Sequence, residues 1–327
     1  MRIPSLRLMT LAIFTLTACT YAKTPISATT IPTIEQTNPK IFGVFEGITP
    51  CSKETRPLSQ IPQGTDCEEM IWHFVLFQNP SSGEPTTFEL TSSYGLSQPN
   101  STGLIKGGTE IKMKGMWEII TGKNFEVYRL NPDTPDDAEP VSFARIGNDV
   151  LHVLNKDGAL MVGHASWSYT INRTDNRPHE PITNAGSVPV PDGTLVVPTA
   201  RPNISVLGVF EGRTPCHDLV FDFTGTPRYA NCLKVKWRLT LYQDAAGEPA
   251  GYLFRGTSSV RQGTWTIIKG TGQDPDATIY QLRNDDHKGE ISFLKPDENH
   301  LFLLDENLDL LVGDALFSYT LSRVEKP

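Results

Sequence analysis

The chain has 327 residues, five cysteines and a formal net charge of −8. That length suits two ordinary domains, each able to bury a core. Its 38% hydrophobic and 20% charged content, with 25 prolines and 26 glycines, excludes a membrane-helix bundle and a fully disordered chain, and the acidic balance leaves no electrostatic footprint for a nucleic-acid partner.

The N-terminus reads as an address. Arg2 and Arg7 flank the start of a short apolar run, Leu8 to Thr17. It has signal-peptide length and is too short to span a bilayer. It leads into Leu16-Thr17-Ala18-Cys19, which resembles the bacterial lipobox. The resemblance implies that residues 1–18 are a lipoprotein signal peptide and that Cys19 is lipidated and becomes the mature N-terminus. More than one acyl chain there would give a stable membrane anchor. The alternative is cleavage after Ala22, leaving a soluble secreted protein. By the sorting habits of enteric bacteria, Thr20 rather than Asp after the cysteine favours the outer membrane. Residues 19–39, rich in Thr, Ser, Pro and Ala, read as a tether.

The next stretch organises the rest. Gly43-Val44-Phe45-Glu46-Gly47-Ile48-Thr49-Pro50-Cys51 returns 165 residues later as Gly208-Val209-Phe210-Glu211-Gly212-Arg213-Thr214-Pro215-Cys216, identical at eight of nine positions. Trp72 matches Trp237 at the same offset, and Met161 to Arg173 matches Leu311 to Arg323 at an offset of 150. The mature chain is therefore one unit made twice, over 40–174 and 205–324, with an insertion in the first copy mainly between Ser93 and Lys114. The 175–204 segment contains Pro178, Pro181, Pro189, Pro191, Pro198 and Pro202 and reads as a spacer.

Periodicity points to β-structure. Leu233, Val235, Trp237, Leu239 and Leu241 alternate with Lys234, Lys236, Arg238 and Thr240, one face apolar and the other mostly charged. Phe317, Tyr319 and Leu321 alternate with Ser318, Thr320 and Ser322 in the same way. The counterpart strand around Met70 to Phe77 is less regular, because Ile71 and Val75 interrupt its polar face. Turn formers such as Asp305-Glu306-Asn307 separate the runs. Seven or eight short strands per copy are expected, with no long helix. Short amphipathic strands in a meander bury one face by closing on themselves, which also removes exposed edges. The expected fold is all-β: two tandem lipocalin-like up-and-down antiparallel barrels. A two-sheet sandwich is the alternative.

Four cysteines remain besides Cys19, paired at a spacing of sixteen in each copy: Cys51 with Cys67, and Cys216 with Cys232. In an oxidising envelope these are expected as disulfides, because each copy then closes its own loop. A thiolate metal site would want the tighter Cys-x-x-Cys spacing. Gly43, Gly47 and Pro50, with Gly208, Gly212 and Pro215, are expected to shape the backbone of the opening strand and its loop.

The opening Gly-x-Phe-x-Gly-x-x-Pro-Cys, a second cysteine, an alternating strand, a later Gly-x-Trp, Leu301 to Asp305 and the lipobox together resemble the NlpE-like family of envelope lipoproteins, often labelled copper-resistance proteins. The resemblance implies lipid-anchored lipocalin-like barrels, linked with envelope stress, surface contact and copper rather than with catalysis. Family members usually carry Pro-Cys-x-x-Cys, whereas fifteen residues separate the cysteines here. That departure weighs against a copper site made by the pair, so copper rests on the resemblance alone.

No phosphate loop, nucleophile elbow or His-Glu-x-x-His is present. Cys216-His217-Asp218 is the one candidate metal cluster, though the matching Cys51-Ser52-Lys53 lacks it. The seven histidines occupy no matching positions in the two copies: His164 stands opposite Asp314, and His152 opposite Phe302. They are expected to be single surface residues. Asp305-x-Asn307-x-Asp309 opens like a calcium loop but continues with Leu310 and no closing glutamate. Asp133, Asp136, Asp137 and Glu139 are expected to be a solvated run, and Glu46 and Glu211 outward strand charges. The four matched tryptophans are expected to fill cores. A non-enzymatic envelope lipoprotein that binds or senses an envelope protein or small ligand follows. A carrier of a small apolar ligand is the alternative. An enzyme would need carboxylates converging with His300 or His217.

Overall fold

The computed structural model describes residues 39–176 and 203–325, apart from 53–54, 100–102, 134–138, 229–231, 258, 273 and 287–288. The expected signal peptide, Cys19, most of the expected tether, nearly all of the expected spacer, His179, His287, Asp136 and Asp137 lie outside the described residues. Two closed antiparallel barrels follow one another. Barrel 1 comprises β1 (Lys40–Pro50), β2 (Glu69–Gln78), β3 (Pro85–Gly95), β4 (Thr109–Thr121), β5 (Glu126–Pro132), β6 (Val141–Gly147), β7 (Val150–Val153) and β8 (Thr170–Arg173). Barrel 2 comprises β9 (Ile204–Thr214), α1 (Asp218–Thr224), β10 (Val235–Asp244), β11 (Pro249–Arg255), β12 (Val260–Lys269), β13 (Thr278–Asn284), β14 (Glu290–Leu294), β15 (His300–Leu304) and β16 (Thr320–Glu325). The expected up-and-down barrel is present twice, with eight strands where seven or eight were expected, and the sandwich alternative falls. The insertion of the first copy lengthens the β3–β4 hairpin, where Ser97 bridges Leu104. Phe317 and Tyr319 precede β16 rather than lying in it.

The repeated stretch now has a physical account. In β1 and β9 the phenylalanines point into the lumen, fully buried. The threonines accept a hydrogen bond from a buried indole: Trp72 Nε1 donates to Thr49 at 2.8 Å, and Trp237 Nε1 to Thr214 at 3.0 Å. The second glycine lies where the closing strand crosses. A Cβ on Gly47 would meet the Thr170 carbonyl at 3.0 Å, and one on Gly212 the Thr320 carbonyl at 2.7 Å. A side chain there would push apart the seam that closes each barrel. The first glycine makes room for the closing-strand arginine, whose guanidinium donates to Phe42 O (Arg173) or Leu207 O (Arg323).

Aromatic rings fill both interiors. In barrel 1, Phe45 stacks on Phe74 with centroids 5.3 Å apart, and Phe143 packs on Trp72 at 5.8 Å. In barrel 2, Phe223 stacks on Trp237 at 6.0 Å and on Tyr252 at 5.8 Å. Phe223 comes from α1, a two-turn helix inside the disulfide loop that has no counterpart among the described residues of barrel 1 and that periodicity did not single out. There the same loop plugs the barrel with Leu58 and Ile61, both buried.

Candidate functional site

Both expected disulfides are present, Cys51–Cys67 and Cys216–Cys232. Each staples a lid over one barrel end. The Arg56 guanidinium holds lid 1 from inside, donating to the Gln63 carbonyl at 2.9 Å and to Thr65 O at 2.8 Å. Tyr169 donates to Thr55 O at 2.8 Å, tying the lid to the barrel. The residues of the candidate metal cluster are engaged elsewhere. Cys216 is in its disulfide. His217 Nδ1 accepts from Leu219 N at 3.2 Å as the N-cap of α1, and Asp218 pairs with Arg228. Among the described residues no group of three or more His, Cys, Asp or Glu side chains is placed to hold a metal. Asp305 accepts from the amides of Asn307 and Asp309, an Asx turn of the kind Asn155 makes in barrel 1. Glu46 faces outward beside His73, and Glu211 beside Arg238.

The feature that sequence reasoning missed is the joint between the barrels. Ser168 meets Ser318 at 2.7 Å, Thr170 meets Thr320 at 2.8 Å, and Trp167 stacks on Phe317 at 5.3 Å with the rings 10° apart. Each residue touches its own counterpart 150 positions on. Such self-contacts occur on a two-fold axis, so the barrels meet as a pseudo-symmetric dimer. Off the axis the relation holds as well: a Cβ on Gly163 would approach Ser322, and one on Gly313 would approach Asn172. Asn172 spans the joint, donating to Asp314 O at 2.9 Å and accepting from Gly313 N at 3.0 Å.

Two of the histidines in this joint, His152 and His300, are fully buried. This corrects the expectation of single surface residues. His152 and His300 pack edge to face with centroids 4.8 Å apart. They are not sequence counterparts, so matching positions could not pair them; the two-fold crossing does. Both Nε2 atoms face the Met161 carbonyl, at 2.8 Å from His152 and 3.1 Å from His300. A carbonyl only accepts, so both Nε2 atoms carry a proton. His152 Nδ1 then accepts from Thr170 at 3.0 Å, which makes it a neutral ring. Burial, then the charge of His300, pushes its pKa down to about 3, against the weaker pull of the Met161 carbonyl and Asp297. His300 Nδ1 faces the Asp297 carboxylate at 2.9 Å. Burial pushes Asp297 up, but the hydrogen bond and charge of His300 bring it below its ordinary value.

Beside the joint, a cleft of about 620 Å³ is lined by both barrels, with Arg145 and Asp149 on one side and Asp274, Lys295 and Leu310 on the other. A second, of about 530 Å³, lies against lid 2 near His217 and Asp222. Fold and joint define the class: a tandem antiparallel β-barrel protein with disulfide-stapled lids. No protein-family model, curated protein or solved structure matches the chain.

Proposed function

We propose that this protein is a non-enzymatic bacterial envelope lipoprotein. Lipid on Cys19 anchors it, with the outer membrane as its expected address. Its two NlpE-like barrels bind or sense through their outer surfaces, in envelope stress or metal response, and require no cofactor. The observation that supports this reading best is the packing of both lumens. A carrier encloses its ligand in an open, dry cavity. Here Trp72, Phe74 and Phe143 occupy the first lumen, and Trp237, Phe254 and the lid residue Phe223 the second. Recognition is thereby moved to the outside, to the clefts at the joint and at lid 2. Copper stays a matter of family resemblance, because a thiolate site would first require reduction of a lid disulfide.

The test has two arms. Labelling with a palmitate analogue, followed by membrane fractionation of the native chain and Cys19→Ala, should show label and membrane association for the native chain only. An unlabelled, soluble native chain would remove the anchor. Fluorescence titration of the purified mature protein with an apolar probe should show no stoichiometric uptake. Saturable one-to-one binding per barrel would instead favour the carrier.

A further inference from the structure

The joint is pseudo-symmetric in backbone but not in charge. At three pairs of matched positions the two copies carry different side chains: Ile48 against Arg213, Glu69 against Lys234, and His164 against Asp314. In the joint these differences meet. Glu69 opens β2 of barrel 1 and is only 4% exposed. Its Oε2 is buried without a direct hydrogen-bond partner among the described residues; burial, with the like charge of Glu68, raises its pKa against hydrogen bonding from Ser97 and Trp167 and the opposite charge of Arg213. The same Trp167 ring lies 5.9 Å beneath the guanidinium of Arg213 from barrel 2. Phe317, stacked on Trp167, carries Lys234 Nζ at 5.2 Å from its centroid. Arg213 and Lys234 both act on Glu69 as opposite charges. Ile48 packs into the Trp167–Phe317 cluster at the position related to Arg213 by the two-fold. A buried carboxylate is thus set among two cations that come from the other barrel.

We infer that this joint is a directed docking surface: the face of barrel 1 fits barrel 2 and rejects a second barrel 1, so the chain is a fused dimer of unlike halves. In a pair of barrel 1 copies the two-fold would replace Arg213 by Ile48 and Lys234 by Glu69. Two buried carboxylates would then share the joint with no cation. A buried charge stripped of its partner is strongly unfavourable, and a clash of this kind is how an interface excludes a wrong partner. A pair of barrel 2 copies would bring Arg213 and Lys234 into one cluster, but it would also set Asp314 where His164 now stands. Discrimination therefore rests mainly on the face of barrel 1. The partner that this face fits, within the chain or across chains, is barrel 2. The inference concerns assembly and does not depend on the proposed function.

The experiment uses the full mature chain with a protease recognition sequence inserted between residues 180 and 195. After cleavage, the halves should co-elute on size exclusion with the mass of one barrel 1 and one barrel 2. Two cleaved preparations carrying different tags on barrel 1 are then mixed. The tags should never be recovered on one particle, while barrel 2 exchanges between them. Glu69→Lys should weaken association of the halves by at least about thirtyfold, as expected for one partner of a buried charge cluster, and adding Arg213→Glu should restore most of it. Arg213→Ile, which installs the residue that barrel 1 carries, gives the same readout if Glu69→Lys does not fold. Separation of the wild-type halves at micromolar concentration overturns the inference. So does pairing of the two tagged barrel 1 halves, or unchanged association in the charge variants.

Discussion

Lowering the pH from about 7.5 to about 5 asks the protein to place a charge on His152. In the unfolded chain an imidazole titrates near 6.5. In the folded chain burial between the barrels, with His300 alongside, pushes the His152 pKa down to about 3. The unfolded state therefore takes up the proton first. The stability tied to a neutral His152 is fully present above about pH 6.5 and is lost progressively as the pH falls towards 3. Each tenfold difference in proton affinity between the two states is worth about 1.4 kcal/mol, so the loss is about 2 kcal/mol at pH 5 and approaches about 5 kcal/mol below pH 3. Other groups titrate over the same range, so the informative quantity is a difference. Urea unfolding of the native chain and of His152→Phe, which takes the residue of the matched position Phe302, is compared at the two pH values. The native chain should lose about 2 kcal/mol more than the variant between them. The ring proton resonances of His152 should show no midpoint above about pH 4, in keeping with a buried neutral imidazole. Equal pH dependence in the two proteins, or a His152 midpoint near 6.5, would refute the placement of a neutral histidine in the joint.

Three further outcomes follow from the packing. Replacing Cys51 and Cys67 together by serine opens a loop closed across 16 positions and should cost about 3 kcal/mol in chemical denaturation; an unchanged midpoint would mean that lid 1 is not held by its disulfide. Gly212→Val drives a side chain into the Thr320 carbonyl and Leu321 and should cost at least about 1–3 kcal/mol through overpacking, whereas the exposed Gly83, with nothing within 4 Å of an added Cβ, should accept Asn with little change. Thr49→Val leaves the Trp72 indole N–H buried without its acceptor and should cost about 1–3 kcal/mol. In a Trp72→Phe background the same change should cost less, and a double-mutant cycle with no coupling would remove that hydrogen bond from the account.

Much of the architecture was legible because it rests on local rules. Alternation at Leu233 to Leu241 marks a strand with one wet face, and the duplicated Gly-Val-Phe-Glu-Gly-x-Thr-Pro-Cys marks where each barrel begins. The spacing of the cysteines was enough for their pairing, since each barrel closes its own lid. One irregularity carried information that alternation alone does not decode. Ile71 broke the polar face of its strand, and in the folded chain it packs against the Trp167–Phe317 cluster. Its outward face is covered by the neighbouring barrel, so an apolar residue is in place there. Ile48 in the opening stretch has the same explanation. The helix of lid 2 was not visible because two turns are too short to establish a period.

By itself the sequence determined the strands, the two copies and the disulfides, because these depend on period, turn chemistry and repeat; closure into barrels rather than a two-sheet sandwich needed the strand pairing of the folded chain. It also carries Leu16-Thr17-Ala18-Cys19, whose resemblance to a lipobox underlies the proposed envelope address. Only the tertiary structure decided what lies between the barrels. A two-fold crossing brings together residues with no sequence relation, such as His152 and His300, and sets Glu69 beside Arg213. Their burial and charge arise from that docking, and no local pattern along either strand encodes it.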